Sequence, residues 1–261
     1  MIGILFQNLV ILLSALLILW LLSIKIKDAS IIDIFWGPAC ALPAVITFLR
    51  LEGASFRATL LTGLVSIWAL RLAIYLGRRN LGHGEDYRYQ KMRAHQKSDA
   101  AFAKWSLPYI FWMQGCVAWF ISLPVQVGQF GGNTALGPLA FIGVIIFLAG
   151  LSFETIGDWQ LQKFKSNADN AGKLMTEGLW SLTRHPNYFG DATVWAGLTL
   201  IALESSYGYL TILSPLVMAY FLINISGKSL TEKHMDRKYP EYAAYRARVS
   251  GFVPMPPKSN P

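Results

Sequence analysis

Gly178-Leu-Trp-Ser-Leu-Thr-Arg-His-Pro-Asn-Tyr-Phe-Gly-Asp191 gathers a cation, an imidazole, an amide, a phenol and a carboxylate at the mouth of an apolar run, Ala192 to Leu203. Pro186 suits the first turn of a helix, where a missing N–H costs nothing, so the stretch predicts a helix that starts there and continues into a membrane. On that helix Asn187, Asp191 and Trp195 are spaced i, i+4, i+8 and share one face. Arg184 and His185 fall just before the first turn, where unpaired backbone N–H groups and the helix dipole favour an anion such as a phosphate. A lone Arg or Asn here would read as an anchor to lipid headgroups. Five polar groups together favour function, because polar residues at membrane helices are costly.

Outward from this stretch the chain is too apolar for an ordinary soluble domain. Its 261 residues are 54% hydrophobic and only 15% charged, with mean hydropathy +0.39, against about 25% charge in typical soluble proteins. The reading is an all-α polytopic membrane protein. Apolar windows fall at 2–24, 31–49, 58–77, 106–127, 137–156, 189–203 and 208–226, giving seven transmembrane helices, the sixth of them short. The first window lacks a basic leader and a cleavage signature, so it reads as a retained span. Placing Lys25 and Lys27 inside puts 20 of the 23 Lys and Arg on that side, so the N-terminus is expected outside and the C-terminus in the cytoplasm. Only Arg50 and Arg57 fall in the opposite loops, and Arg71 within the third span.

The net charge of +8 is interrupted by apolar spans, so anionic lipid headgroups and an anionic cofactor account for it better than nucleic acid does. Cys40 and Cys116 have no metal-ligand spacing and read as packing residues; the four histidines lack HExxH-type spacing, and no metal is expected.

Three further stretches carry candidate chemistry. In the second span, Asp33 either complements the helix dipole, pairs with Arg71, or contacts a polar substrate, while Gly37 and Pro38 read as close packing or a kink. The loop Arg78 to Gln90 sets Glu85, Asp86, Tyr87 and Tyr89 in a proton-donor cluster. Extended backbone would point both tyrosines the same way, leaving the choice between them open. Glu154, Asp158 and Gln162 form one helical stripe with Lys163 and Lys165 beyond it, offering acceptors for ribose hydroxyls or an amide and cations for phosphates. A turn at Asn170 to Lys173 leads back to the organising stretch. Lys228 to Arg248 reads as one amphipathic, basic, interfacial segment carrying Glu232, Tyr239, Tyr242, Tyr245 and Arg246. No linker or repeat divides the chain, so 1–261 is read as a single domain.

Arg79-Asn-x-Gly-x-Gly-x-Asp-Tyr-Arg-Tyr89, Asp158-x-Gln-x-x-x-Phe-Lys165, the 178–191 stretch and Tyr239-x-x-Tyr-x-x-Tyr245 together resemble the bacterial branch of the steroid 5-alpha-reductase family. A looser Arg-His-Pro-x-Tyr pattern is also found in isoprenylcysteine carboxyl methyltransferases and membrane sterol reductases. The resemblance implies a seven-helix reductase of the bacterial inner membrane. It would hold NADPH on the cytoplasmic side, mainly through 137–261, and reduce the C=C bond of an enone-bearing lipid such as a 3-oxo-4-ene steroid. Carried over, it implies cofactor contacts at Asp158, Lys165, Lys173, Asn187 and Asp191, to which the polar positions Arg184, His185, Tyr188, Glu232, Tyr239, Tyr242 and Arg246 are added. It also implies that Tyr87 holds the substrate ketone; this sequence departs from the family in lacking the early-helix motif that carries the acidic partner, and Asp33, Glu52 and Glu85 are the candidates to replace it. The cations Lys163, Lys165, Lys173 and Arg184 favour NADPH over S-adenosylmethionine. A methyltransferase and a non-enzymatic lipid-binding protein are the alternatives.

Overall fold

The computed structural model describes residues 1–131, 135–225 and 227–258. Among them the secondary structure is helical, with one isolated parallel bridge between Thr183 and Ser250. Five helical stretches are long and apolar enough to cross a membrane: Ile2–Ile26 (α1), Ile31–Leu49 (α2), Phe56–Asn80 (α3), Pro138–Ser166 (α8) and Gly208–Ile225. The last is built from a 3-10 turn, α10 (Leu213–Tyr220) and a wide π-type turn at Phe221–Ile225. Two of the seven expected windows are helical but fall outside that set. The fourth is interrupted, running from α5 (Asp99–Ser106) through a π-type segment, Leu107–Trp112, into α6 (Met113–Ile121) and α7 (Leu123–Val127). Pro108, which lacks an N–H, falls at the start of the π-type segment, and Pro124 in the first turn of α7, just after the break at Ser122. The sixth is α9, Pro186–Ala202, of 17 residues.

The chain divides into two compact units, residues 1–137 with 201–211, and residues 138–200 with 212–261. In the first, α2 continues through Pro38 and Pro43, and Gly37 lets it approach α3 so closely that a Cβ there would stand 2.7 Å from the Ala69 carbonyl oxygen. Close packing, the first of the two expectations for this site, is what Gly37 provides.

Polar side chains hold this unit together inside its apolar windows. Asn8 and Gln126 are fully buried: Asn8 Nδ2 faces Pro43 O (3.1 Å), Thr47 Oγ1 (2.7 Å) and Gln126 Oε1 (2.9 Å). Gln129 Nε2 donates to Ala44 O and Val125 O. Arg57 is not a loop residue as expected but sits buried in the first turn of α3. Its guanidinium donates to the carbonyls of Gly128, Gly131 and Glu204. A charge so placed is tolerable because carbonyl oxygens replace its hydration. Cys40 is buried, whereas Cys116 is exposed rather than packed inside.

In the second unit α8 and α9 pack backbone to backbone. A Cβ on Gly190 would stand 2.5 Å from the Glu154 amide nitrogen, so only glycine permits the approach. The segment after α9 and α10 is not one interfacial helix. Tyr239 leaves the helical region just before Pro240, which separates α11 (Lys228–Lys238) from α12 (Tyr242–Arg248). Tyr242, Tyr245 and Val249 turn inward to form a small core with Leu174, Met235 and Tyr239.

Candidate functional site

In the second unit α9 begins at Pro186, as its sequence predicts, and Arg184 and His185 immediately precede it. The stretch before them is fixed to α8: Trp180 Nε1 donates to Gly157 O (3.0 Å) and Gln160 Oε1 accepts from Leu179 N (2.9 Å). The chain's last segment fixes it from another side. Arg184 N donates to Ser250 O, Thr183 Oγ1 to Phe252 O (both 2.9 Å) and Met255 N to Leu182 O (3.0 Å).

Arg184 is buried and its guanidinium is engaged within the protein. Nε and Nη2 meet Glu232 Oε1 at 2.9 and 2.8 Å, and Nη1 donates to Arg246 O and Val249 O at 3.1 and 2.5 Å. The expected phosphate-facing cation therefore joins α11 to the carbonyls at the end of α12. His185 Nε2 meets the same Glu232 oxygen at 3.1 Å, and its ring stacks on Tyr188 (centroids 5.2 Å, planes 7° apart). Burial, aided by the Arg184 and Lys228 charges, pulls the His185 pKa below 6.5 against the pull of Glu232. For Glu232 burial acts upward, but the bonds from His185 and Arg184 outweigh it and hold the carboxyl below 4.5.

Asn187 Nδ2 donates to Asp158 Oδ1 (3.1 Å), which joins two of the expected positions across α8 and α9. Asp158, Glu154 and Asp191 are buried, whereas Gln162 of the expected stripe is exposed. Lys163, Lys165 and Lys173 are exposed near the end of α8 and in the turn after it, with Lys163 Nζ 5.2 Å over the Trp159 ring. Tyr188 reaches Thr231 (3.4 Å). Of the C-terminal positions, Tyr242 is buried, with its pKa pushed up by burial to about 12, Tyr239 lies against the same core, and Arg246 pairs with Asp236.

The first unit holds a separate polar cluster. Tyr87–Ala94 is a helix, α4, capped by Asp86, whose side chain accepts from Arg88 N. Helical rather than extended backbone sends the two tyrosines different ways: Tyr87 is 45% exposed and Tyr89 only 4%. Tyr89 Oη donates to Asp33 Oδ1 (2.6 Å) and accepts from Gln114 Nε2 (3.4 Å). Asp33 Oδ2 takes Arg88 Nη2 (2.6 Å), so Asp33 pairs with Arg88 and Tyr89 in this unit. Burial, then the Asp33 charge, pushes the Tyr89 pKa well above 10. Tyr87 instead lies beside Lys91, whose Nζ is 5.4 Å over its ring. Glu85 is held by Arg93 (2.7 Å) and by Ala29 N (2.9 Å), while Glu52 falls in the turn between α2 and α3. The Tyr89–Asp33 pair was not singled out from the sequence. The available signal was Asp86 as an N-cap ahead of Tyr-Arg-Tyr-Gln, which starts a helix at Tyr87, inside the stretch read as a loop to Gln90.

The model of a family described as a protein of unknown function, DUF1295, matches residues 19–249. An uncharacterized protein of Schizosaccharomyces pombe (strain 972) is 26% identical over 269 residues, covering 91% of this chain and 76% of that protein. A probable O-methyltransferase, ustE, of Ustilaginoidea virens is 43% identical over 79 residues, which cover 30% of this chain and 28% of that protein. No solved structure gives a significant match.

Proposed function

We propose, from the premise that this chain belongs to the DUF1295 family, that it is an NADPH-dependent membrane reductase of the steroid 5-alpha-reductase type, acting on an enone-bearing lipid. Seven spans with a cytoplasmic C-terminus, in a bacterial inner membrane, belong to the same reading. The observation that carries it is the buried phenol–carboxylate pair of Tyr89 and Asp33, 2.6 Å apart at the start of α2.

The donor set of the second unit fits a dinucleotide. Asn187, bonded to Asp158, offers an amide and a carboxylate to a carboxamide or ribose hydroxyls, and Lys163, Lys165 and Lys173 offer exposed cations to phosphates. When bound, NADPH supplies a hydride. The chain's own part is to stabilise negative charge on the ketone oxygen as the hydride reaches the β-carbon. Tyr89, rather than Tyr87, takes that role here. Its raised pKa keeps the phenol protonated, so it can donate. Its hydrogen is directed at Asp33 in this structure. To act on the ketone the phenol turns that hydrogen from Asp33 to the ketone oxygen, while Arg88 Nη2, 2.6 Å from Asp33 Oδ2, balances the carboxylate. The hydrogen bond from Tyr89 stabilises the enolate, whose α-carbon takes a proton from water as the carbonyl re-forms, so that the net change is one hydride and one proton added across C=C.

A second reading, S-adenosylmethionine-dependent methyl transfer, is favoured by the partial likeness to a probable O-methyltransferase and by the internal engagement of Arg184. The test is NADPH oxidation by purified protein on addition of a 3-oxo-4-ene steroid. Oxidation with appearance of the saturated ketone supports the reductase. Methylated lipid formed from S-adenosylmethionine, with no NADPH oxidation across a panel of enone lipids, overturns it.

A further inference from the structure

We propose that Glu232 is a positioning residue that makes His185 a hydrogen-bond acceptor for an N–H or O–H group of the bound cofactor, an inference that rests on the cofactor lying at this end of the second unit. A carboxylate can only accept, so the ring nitrogen that meets it, Nε2 at 3.1 Å, carries the hydrogen. In a neutral imidazole the other nitrogen is then a bare acceptor. Charge balance keeps the ring neutral. Glu232 Oε1 already receives Nε and Nη2 of Arg184, so the carboxylate is compensated before His185 is counted. A proton on the ring would leave the buried trio with net positive charge beside Lys228, which acts against it.

The ring cannot readily turn to offer another tautomer. It lies parallel to Tyr188, its backbone N–H is held by Thr183 Oγ1 (3.3 Å), and Thr183 is itself fastened to Phe252 O. The imidazole side chain is only 4% exposed, yet among the described residues Nδ1 has no hydrogen-bond partner. Nδ1 is not one of the fully buried unpartnered atoms, so it is open to a donor from outside the protein, and a ligand N–H or O–H there would take the place of water. The groups that fit are a carboxamide or amino N–H and a ribose hydroxyl. Phosphate oxygens, which accept, do not.

The experiment uses full-length protein in detergent, labelled with 15N-histidine, with two-bond nitrogen–proton correlation spectra and calorimetry on the same samples. Above the His185 titration range, wild type should show Nε2 protonated and Nδ1 bare; the opposite tautomer, or an imidazolium, overturns the proposal. Glu232→Gln keeps an acceptor oxygen and should keep the tautomer, whereas Glu232→Ala should give a mixture. On adding NADPH the Nδ1 resonance should shift as it accepts a hydrogen bond. His185→Asn, whose Oδ1 can stand where Nδ1 does, should retain affinity within about threefold, and His185→Phe, which keeps the stacked ring, should lose about tenfold. NADPH binding that leaves Nδ1 unmoved overturns the proposal. S-adenosylmethionine binding that moves Nδ1 while NADPH does not bind leaves the acceptor standing and removes the reductase reading. Binding of neither removes both.

Discussion

Tyr89 and Tyr87 are two residues apart and chemically identical, yet α4 buries one against Asp33 and leaves the other beside Lys91. Deleting the Tyr89 hydroxyl removes the donor assigned to the developing oxyanion, so Tyr89→Phe should lower turnover of an enone ~10²–10³-fold with NADPH affinity unchanged. Tyr87→Phe should stay within a few fold. The reverse pattern would return the role to Tyr87. Arg184 makes a second residue-scale case. Lysine supplies a point charge, not a fork that spans Glu232, Arg246 O and Val249 O. Arg184→Lys should therefore loosen the C-terminal segment, read as faster amide exchange at Val249 and Met255, whose N–H groups donate to Tyr245 O and Leu182 O. Exchange equal to wild type there would mean the fork does not hold that segment.

At the scale of elements, the α8–α9 contact has no room for a methyl group. Gly190→Ala places a Cβ 2.5 Å from a backbone nitrogen, so the helices must separate, at a cost of about 1–3 kcal/mol. A thermal-unfolding curve in detergent unchanged from wild type would show that the helices are not so close. The α9–α11 junction adds a pH dependence of defined sign. The unfolded chain protonates His185 at about 6.5 and Glu232 at about 4.5, while the folded chain does so only at lower pH. The unfolded state thus binds more protons in both windows. The stability contributed by each group is present at neutral pH and is lost as pH falls through 6.5 and then below 4.5. Glu232→Gln should shrink the lower step, leaving the share of Asp86, whose carboxyl, against burial, is also held down by Arg88. A melting temperature that rises on acidification would have the wrong sign.

Over the whole molecule, apolar length made the helices legible, because lipid-facing sequence must stay apolar over a full span. Each of the seven windows is mainly helical over its described residues, and Pro186 begins α9 where a proline should. The sequence did not reveal how polar side chains inside those windows and at their edges are used. Asn8, Gln126 and Arg57 meet partners 35 to 147 residues away, and such pairings have no local period. The two-helix C-terminal segment was missed for another reason: three tyrosines at amphipathic spacing suit an interface, and only the Pro240 break turns two of them inward. At the candidate sites, helical spacing placed Asn187 and Asp158 each on an inward stripe, while their pairing, like Arg184–Glu232 and Asp33–Tyr89, required the fold. The proposed seven-span topology predicts that reporter fusions after Leu51 and Tyr207 report the outside and fusions after His95, Asn170 and Lys258 the cytoplasm; a C-terminus found outside would invert the charge argument.

The central claim is that the second unit binds a reduced dinucleotide. Calorimetric titration of the detergent-solubilised protein with NADPH and, separately, with S-adenosylmethionine tests it most directly, with Asn187→Ala as the internal control. The account predicts saturable NADPH binding, weakened about tenfold or more in Asn187→Ala, and no heat with S-adenosylmethionine. Tight binding of S-adenosylmethionine with none of NADPH would contradict it.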